Sequence, residues 1–569
     1  MNRNGLIILS LIALILVGGY LRARTIAAHP LWFDEADTWR ASIMDPRLSE
    51  FDPATGLVKP EPMAYSKFFL WENHFETAPL SFLLVRLSAD AFGTDAEWAM
   101  RMPSLIAGIL CIPAAFWLGS VVYSPLLGLI VAALVAFDPN AVDQSRQARM
   151  YSLMLLLLLV AAAWAIKLVR APSPGAPSRQ GGANTAQPPA PSRSPDSRAP
   201  IAPPYRDGAP APFPYLQWSG LGIILGLLLC TSQFTTAVWF GIALGTGGLL
   251  ALGKFTGQPH PQTFKIALGL TLAYLVGLLV ANLGVIGIIN RVLHGGPGDG
   301  ANLTKAQIAR EIATSAKDLI NLTNLGLIVY AFAAVGIVLL IKRCKTSTAI
   351  LVGLAVTNLL VLFPFRKMHH FMDGRYLMIL KPALWVGLAM LAVGFRHHLL
   401  RGAGIVIILA YLGLQAYQSS VKLDAYPQQP DRYLFAQEII KTRDALKPGE
   451  TVSIFPGVAV QLGMYYKVPQ DTRLLFGLYD RDGVPLPTGS IPRDLSDHVE
   501  AVWLVLGMYN YDDEKGAQKA RRVNLIQALA QRYGTYADPA QIDKHIRQRH
   551  ITRVRISREG VTVSSVSLE

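Results

Sequence analysis

The chain is poor in cysteine and in charge for its length. Three cysteines stand among 569 residues. Cys111 and Cys230 lie in apolar runs and Cys344 in a short basic loop, which gives neither a disulfide framework nor a metal-binding spacing. Charged residues make up 16% of the chain against 52% hydrophobic ones, and mean hydropathy is positive. That balance argues against a water-soluble fold and for a polytopic membrane protein. Acids are the scarcer charge, 38 against 52 Lys and Arg, for a net +14. The bases are scattered over loops rather than striped along one helix. The excess therefore reflects topology and lipid headgroups, and no nucleic-acid partner is expected. A small-residue cleavage site is also missing after the first apolar run, Gly5–Leu21, so this run reads as a retained helix and not as a signal peptide.

What the chain has is apolar length. A span takes about 20 apolar residues, and eleven such runs fall between Gly5 and Tyr417. With the N-terminus in the cytoplasm, the basic loops at Arg170, Lys254, Lys342–Lys345 and Arg396–Arg401 all lie inside, as the positive-inside rule asks. The first loop (25–102), the 138–151 patch, the loop 290–324 and the C-terminal part then lie outside. In the first loop acids outnumber bases two to one between Leu31 and Arg101, and Pro79–Phe92, short and interrupted by Arg86, suits an interfacial helix. Residues 170–214, rich in Pro, Ala, Ser and Gly, read as a disordered cytoplasmic linker. In the loop 290–324, the Gly-rich stretch His294–Gly300 precedes an amphipathic helix opened by a Thr304/Gln307 capping box. Residues 1–423 thus form the membrane domain, and 424–569, with alternating helix and strand patterns, a small α/β domain outside it.

Ionisable residues gather at the outer ends of several runs: Asp34 and Glu35, Glu76, Arg146 and Arg149, His294, then Arg366, Lys367, His369, His370 and Arg375. Charges that couple ions to transport would sit near the midplane. These describe a pocket open to both lipid and water, in which a few acids face several fixed cations, as a phosphate-bearing lipid would need. Arg366-Lys367 is a basic pair on the side the topology rule disfavours. An acidic helix start after Pro30 would use Asp34 and Glu35 equally well, and Arg149 at the head of an apolar helix would also serve as a snorkelling residue.

The order and spacing of several pieces resemble the polyprenol-dependent GT-C glycosyltransferases, in particular the branch holding the protein O-mannosyltransferases and the bacterial aminoarabinose transferase. The pieces are Asp34-Glu35 after the first span, Glu76-Thr-Ala-Pro-Leu80, Phe92-Gly93 leading to Arg101-Met-Pro-Ser104, Gln147-Ala-Arg-Met-Tyr151, and Arg375-Tyr376 leading to Lys381-Pro382. They cover roughly residues 5–395. Ala78-Pro79 replaces the usual pair of prolines, Thr77 the His or Lys before them, and Gln147 the Glu common before Ala-Arg.

The resemblance implies an all-α GT-C membrane domain that transfers a sugar from a polyprenyl-phosphate carrier to an acceptor hydroxyl of a protein, lipid or glycan, with inversion, on the outer face of a bacterial inner membrane. Asp34 is the expected base, Glu35 its orienting neighbour, since residues at i and i+1 on a helix point apart, and Glu76 the second cavity acid. Arg375 and Arg149, with Arg366 and Lys367, are expected to hold the donor phosphate, as planar guanidinium groups grip it two oxygens at a time. No cofactor is required; a divalent cation on Glu76 and His294 is the alternative these residues leave open. The geometric expectation is that Asp34 confronts Arg375 across a lipid headgroup. A lipid or glycan transporter is the competing class, and it would need charges along a path through the bilayer.

Overall fold

The computed structural model describes residues 3–43, 50–51, 58–59, 65, 79–93, 96–170, 215–232, 235–255, 263–281, 304–320, 326–368, 374–425, 433–455, 460–469, 497, 499–506, 517–546 and 550–567. Each of the eleven apolar runs holds a helix within its described residues. These are α1 (Arg3–Ala23), α4 (Glu97–Val122), α5 (Pro125–Phe137), α7 (Tyr151–Arg170), α8 (Tyr215–Leu229), α9 (Thr236–Phe255), α10 (Thr263–Val280), α12 (Gly326–Arg343), α13 (Lys345–Met368), α14 (Lys381–Val393) and α15 (His398–Ala425). Seven helices are long and apolar enough to cross a bilayer, and Pro125–Phe137, Tyr215–Leu229 and Leu377–Val393 are shorter apolar segments, among the described residues. Large apolar side chains stand exposed along them, such as Leu16, Leu216 and Leu279. On helices with saturated backbone bonds, such surfaces are stable against lipid. The protein is a multi-pass membrane protein.

The remaining helices are shorter or polar: α2 (Phe33–Ile43), α3 (Pro79–Phe92), α6 (Pro139–Gln144) and α11 (Lys305–Ile320). A two-residue ribbon, β1 (Glu50–Phe51) with β2 (Val58–Lys59), lies between α2 and α3. The capping box opens α11 as the sequence suggests: the Thr304 N–H donates to Gln307 Oε1 at 2.8 Å, and the Gln307 N–H to Thr304 Oγ1 at 3.3 Å. The expected span Tyr376–Phe395 is two elements, a 3-10 turn over Gly374–Leu380 and then α14. Pro382 in the first turn of α14 is the local reason, since proline suits a helix start and not its interior. Of the segment 170–214 only Arg170 is among the described residues.

In the membrane part α1, α4, α5 and α7 pack together, α8 packs on α10, α9 on α13 and α12 on α14. The last contact is close: a Cβ on Gly336 would stand 1.7 Å from the Gly387 carbonyl oxygen. Small residues at such crossings let backbones meet where lipid tails offer no hydrophobic drive.

Beyond the membrane part, β3 (Glu450–Phe455), β4 (Ala501–Leu506), β5 (His550–Ser557) and β6 (Gly560–Ser567) form a sheet in the order β3-β4-β5-β6. The pair β3/β4 is parallel and the others antiparallel. Among the described residues, helices α16 (Phe435–Asp444), α17 (Val460–Tyr465), α18 (Ala517–Arg532) and α19 (Pro539–His545) belong to this α/β part. It rests on the first loop: Leu31, Ala36 and Trp39 share one buried core with Ile439, Ile454 and Leu462. Sheet and α2 are thereby tied together.

Candidate active site

Two adjacent acids on α2 have separate surroundings. Glu35, in the first turn, is fully buried. Its carboxylate receives the Arg101 guanidinium at 2.8 Å (Nε to Oε1) and 2.7 Å (Nη2 to Oε2), the Ala148 N–H at 2.7 Å and the Trp32 N–H at 3.2 Å. The Trp32 bond is half of a capping box, in which a glutamate at the third helical position returns to the cap residue. Arg101, from α4, also donates to the carbonyls of Ile26, His29 and Pro30 at 2.8–2.9 Å. That makes five hydrogen bonds, one for each N–H the guanidinium carries. Glu35 and Arg101 together fix the path of the chain from α1 into α2.

Asp34, one residue earlier, is turned to the other side. Its Oδ2 receives Arg375 Nη1 at 2.9 Å and has Arg149 Nη2 at 3.8 Å. Arg149 further donates to the Asp34 carbonyl at 3.0 Å and to Thr38 Oγ1 at 3.2 Å. Arg375 sits over the rings of Trp32 and Tyr151, 5.8 and 5.6 Å from their centroids. Stacking of that kind holds a guanidinium in one plane. Three segments distant in sequence therefore meet around one carboxylate: α2, the turn between α6 and α7, and the 3-10 turn before α14. All three groups keep a little solvent access, with side-chain exposures of 19% for Asp34, 12% for Arg149 and 10% for Arg375.

A second buried ion pair fixes the last of these segments. Asp138 caps α6 through the Ala141 N–H at 2.9 Å and receives Lys381 Nζ at 2.5 and 2.7 Å, with Trp385 Nε1 at 3.3 Å. Lys381 opens α14, six residues after Arg375. The pair ties the head of α14 to the end of α5, and so limits where the 3-10 turn can carry Arg375.

The α/β part reaches the same place. Tyr466 Oη accepts the Leu31 N–H at 2.6 Å, Tyr433 lies 5.1 Å from the His29 ring, and Tyr465 meets Trp39 edge-on at 5.3 Å. Burial, with the Arg101 and Arg146 guanidinium groups nearby, pushes the His29 imidazole down to about 4.

Of the residues expected from the sequence, the structure brings together Asp34, Arg149 and Arg375, and places Glu35 beside them in a separate, saturated pocket. Asp34 and Arg375 touch directly instead of facing each other across a gap. Arg366 and Lys367 lie near the end of α13, with no description of their side chains. Glu76, His294, His369 and His370 lie outside the described residues. No group of three or more His, Cys, Asp or Glu able to hold a metal ion occurs among the described residues. Sequence reasoning did not pair Glu35 with Arg101 or Asp138 with Lys381. An Asp-Pro step at 138–139 was the available signal for the second, as a helix-start pattern following an apolar run.

No protein-family model and no curated protein matches the chain. Among solved structures, ArnT from Cupriavidus metallidurans in the apo state is similar with a TM-score of 0.51 at 12% identity, covering 91% of this chain and 94% of that one. The same protein bound to undecaprenyl phosphate gives 0.47 at 12% identity over 91% and 95%. An archaeal oligosaccharyltransferase, AglB from Archaeoglobus fulgidus in complex with an inhibitory peptide and a dolichol-phosphate, gives 0.49 at 13% identity over 95% and 72%. The likeness to apo ArnT is one of fold, and it runs through both the membrane part and the α/β part.

Proposed function

We propose that the chain is an inverting glycosyltransferase of the GT-C type, moving a sugar from a polyprenyl-phosphate carrier to an acceptor hydroxyl at the outer face of a bacterial inner membrane. The observation that carries this reading is a partly accessible carboxylate, Asp34, held between two arginines at one end of a membrane-sized helix bundle. The fold shared with apo ArnT and the sequence resemblance described above support it.

The chemistry follows from charge. Without substrate, Asp34 is the counter-ion of Arg375 and Arg149. A donor phosphate entering between them offers oxygens that guanidinium groups bind in pairs, and it displaces Asp34 from Arg375. The carboxylate then accepts a hydrogen bond from the acceptor O–H. As that oxygen attacks the anomeric carbon, its proton passes to Asp34, the bond from carbon to phosphate oxygen breaks, and the electron pair leaves with the lipid phosphate. Positioned general-base catalysis contributes typically about 10²–10⁴-fold. The growing charge on the phosphate falls on Arg375 and Arg149, and stabilisation of charge that develops in the transition state is usually the largest single effect. Glu35 keeps Asp34 in place and does not touch the reacting atoms. Glu76 is assigned to the acceptor side, Arg366 and Lys367 to the donor phosphate.

The test is transfer of sugar from synthetic polyprenyl-phosphate sugars by the purified protein in detergent, read by mass spectrometry of the released polyprenyl phosphate. Wild type turns over and Asp34→Asn does not. Full activity in Asp34→Asn removes the mechanism, and no release from any donor removes the reaction class.

A further inference from the structure

The end of the bundle away from Asp34 carries a second feature. Phe137 ends α5 and Lys381 opens α14, and the Asp138–Lys381 pair holds these two ends together. Ser419 of α15 donates to the Phe137 carbonyl at 2.8 Å, which places the C-terminal part of α15 there too. At 1.5 Å per residue, Leu126 and Val393 lie roughly 17 Å away along their helices, and Arg401 about 27 Å along α15. Between these far ends is a cavity of about 300 Å³, lined by ten apolar side chains and one charged one, Arg401. That volume is at the lower edge of the range for small-molecule sites, roughly 300–1,000 Å³.

Two properties specify the occupant. Lining residues Leu126, Ile405 and Leu409 are also exposed on the outer surface, at 39%, 42% and 63%, so the slot opens sideways to the bilayer and an acyl chain can enter it. Its charged member is not neutralised: among the described residues Arg401 makes no ion pair, and its Nε donates to the Ala392 carbonyl at 3.3 Å. The two Nη groups remain as donors, in the fork that suits a phosphate. The surrounding surface is basic as well. Arg343 donates to the Gly394 carbonyl at 3.3 Å and Arg170 to the Val122 carbonyl at 3.0 Å, so arginines close the C-terminal ends of α14 and α4. Basic pockets between transmembrane helices recognise anionic headgroups.

We propose that this groove binds one anionic phospholipid of the leaflet opposite the Asp34 site, with an acyl chain in the slot and the headgroup phosphate on Arg401. The site is separate from the proposed sugar transfer and does not depend on it.

Native mass spectrometry of the full chain in detergent, with phosphatidylglycerol and phosphatidylcholine of equal chain length added in competition, tests the assignment. Wild type retains one phosphatidylglycerol with a preference of about fivefold, the size expected for one basic residue at an anionic headgroup. Arg401→Gln abolishes the preference, and Arg396→Gln, at the same end but outside the groove, keeps it. Because Arg401 also caps α14, a second variant tests the slot: Ala133→Phe fills it, leaves Arg401 in place and lowers retention of both lipids. Equal retention of the two lipids by wild type, an unchanged preference in Arg401→Gln, or unchanged retention in Ala133→Phe each overturns the proposal.

Discussion

Asp34→Asn separates the two tasks that the proposed mechanism gives to one site. In the substrate-free arrangement the carboxylate neutralises Arg375 at 2.9 Å and approaches Arg149 at 3.8 Å. An incoming phosphate has to compete with it. Two unit charges about 4 Å apart at an effective dielectric constant near 20 interact by about 4 kcal/mol. Exposure of 19% on Asp34 and 10% on Arg375, with solvent screening, lowers that toward the value for exposed pairs, about 1 kcal/mol. Relief of about 1.5 kcal/mol corresponds to roughly tenfold tighter phosphate binding. The amide is isosteric but takes no proton, so transfer falls by about 10²–10⁴-fold. The expected phenotype is thus a better binder and a far slower enzyme. Undecaprenyl phosphate binding can be followed by tryptophan fluorescence in detergent, since Trp32 lies against Arg375, and transfer by single-turnover kinetics. Binding weaker than wild type would show that Asp34 does not compete with phosphate for Arg375. A transfer rate unchanged in the variant would remove Asp34 as base.

The neighbouring acid behaves differently. Arg101→Met leaves Glu35 charged and buried and strips three carbonyls of their donor, and costs about 3–5 kcal/mol in thermal unfolding; Glu35→Gln keeps most of those bonds and costs less, and the reverse ranking would refute the assignment of Arg101 as the tie. Tyr466→Phe leaves the buried Leu31 N–H without its acceptor, at about 1–3 kcal/mol, and speeds amide exchange over residues 31–43; protection unchanged there would deny the α/β part its hold on α2. Gly336→Ala forces α12 from α14, since even a methyl group meets the Gly387 carbonyl, and lowers the thermal midpoint by at least the roughly 1–3 kcal/mol of an overpacked core; wild-type stability would contradict the crossing. His29 is depressed to about 4 in the fold against 6.5 when exposed. The unfolded chain then binds the extra proton first, so stability is complete above about pH 6.5 and is lost as pH falls toward 4; a flat profile across that window in wild type, or one unchanged by His29→Gln, would exclude this histidine as its source.

The membrane part was legible because burial in lipid writes a one-dimensional signal. A run such as Tyr151–Arg170 needs no tertiary information to be read as a helix. Charges at the ends of such runs are equally visible, which is why Asp34, Arg149 and Arg375 could be selected together. Tertiary partners were not legible. Glu35 and Arg101 are 66 residues apart and neither sits in a pattern that names the other, so Glu35 read as an orienting neighbour of Asp34 with no sign of the partners that saturate its buried carboxylate. The break before α14 had a signal in Pro382, overridden by the unbroken hydrophobicity around it. Tyr433 and Tyr466 had none, because an aromatic in a soluble domain looks the same whether it fills that domain's core or grips a loop at the membrane.

That last contact bears on how the site is built. A helix of eleven residues such as α2 is marginal by itself, yet it carries the carboxylate on which the proposed chemistry rests. Its position is set from three sides: Arg101 from within the bundle, Arg149 from the turn before α7, and Tyr465 and Tyr466 from the α/β part. Arg375 comes from a fourth segment, and that segment is held by the Asp138–Lys381 pair. Removing the α/β part would therefore leave every charged group of the site in the chain but release one wall of α2. The proposed transfer would then fall through the placement of Asp34, while the phosphate contacts of Arg375, fixed from inside the bundle, would persist.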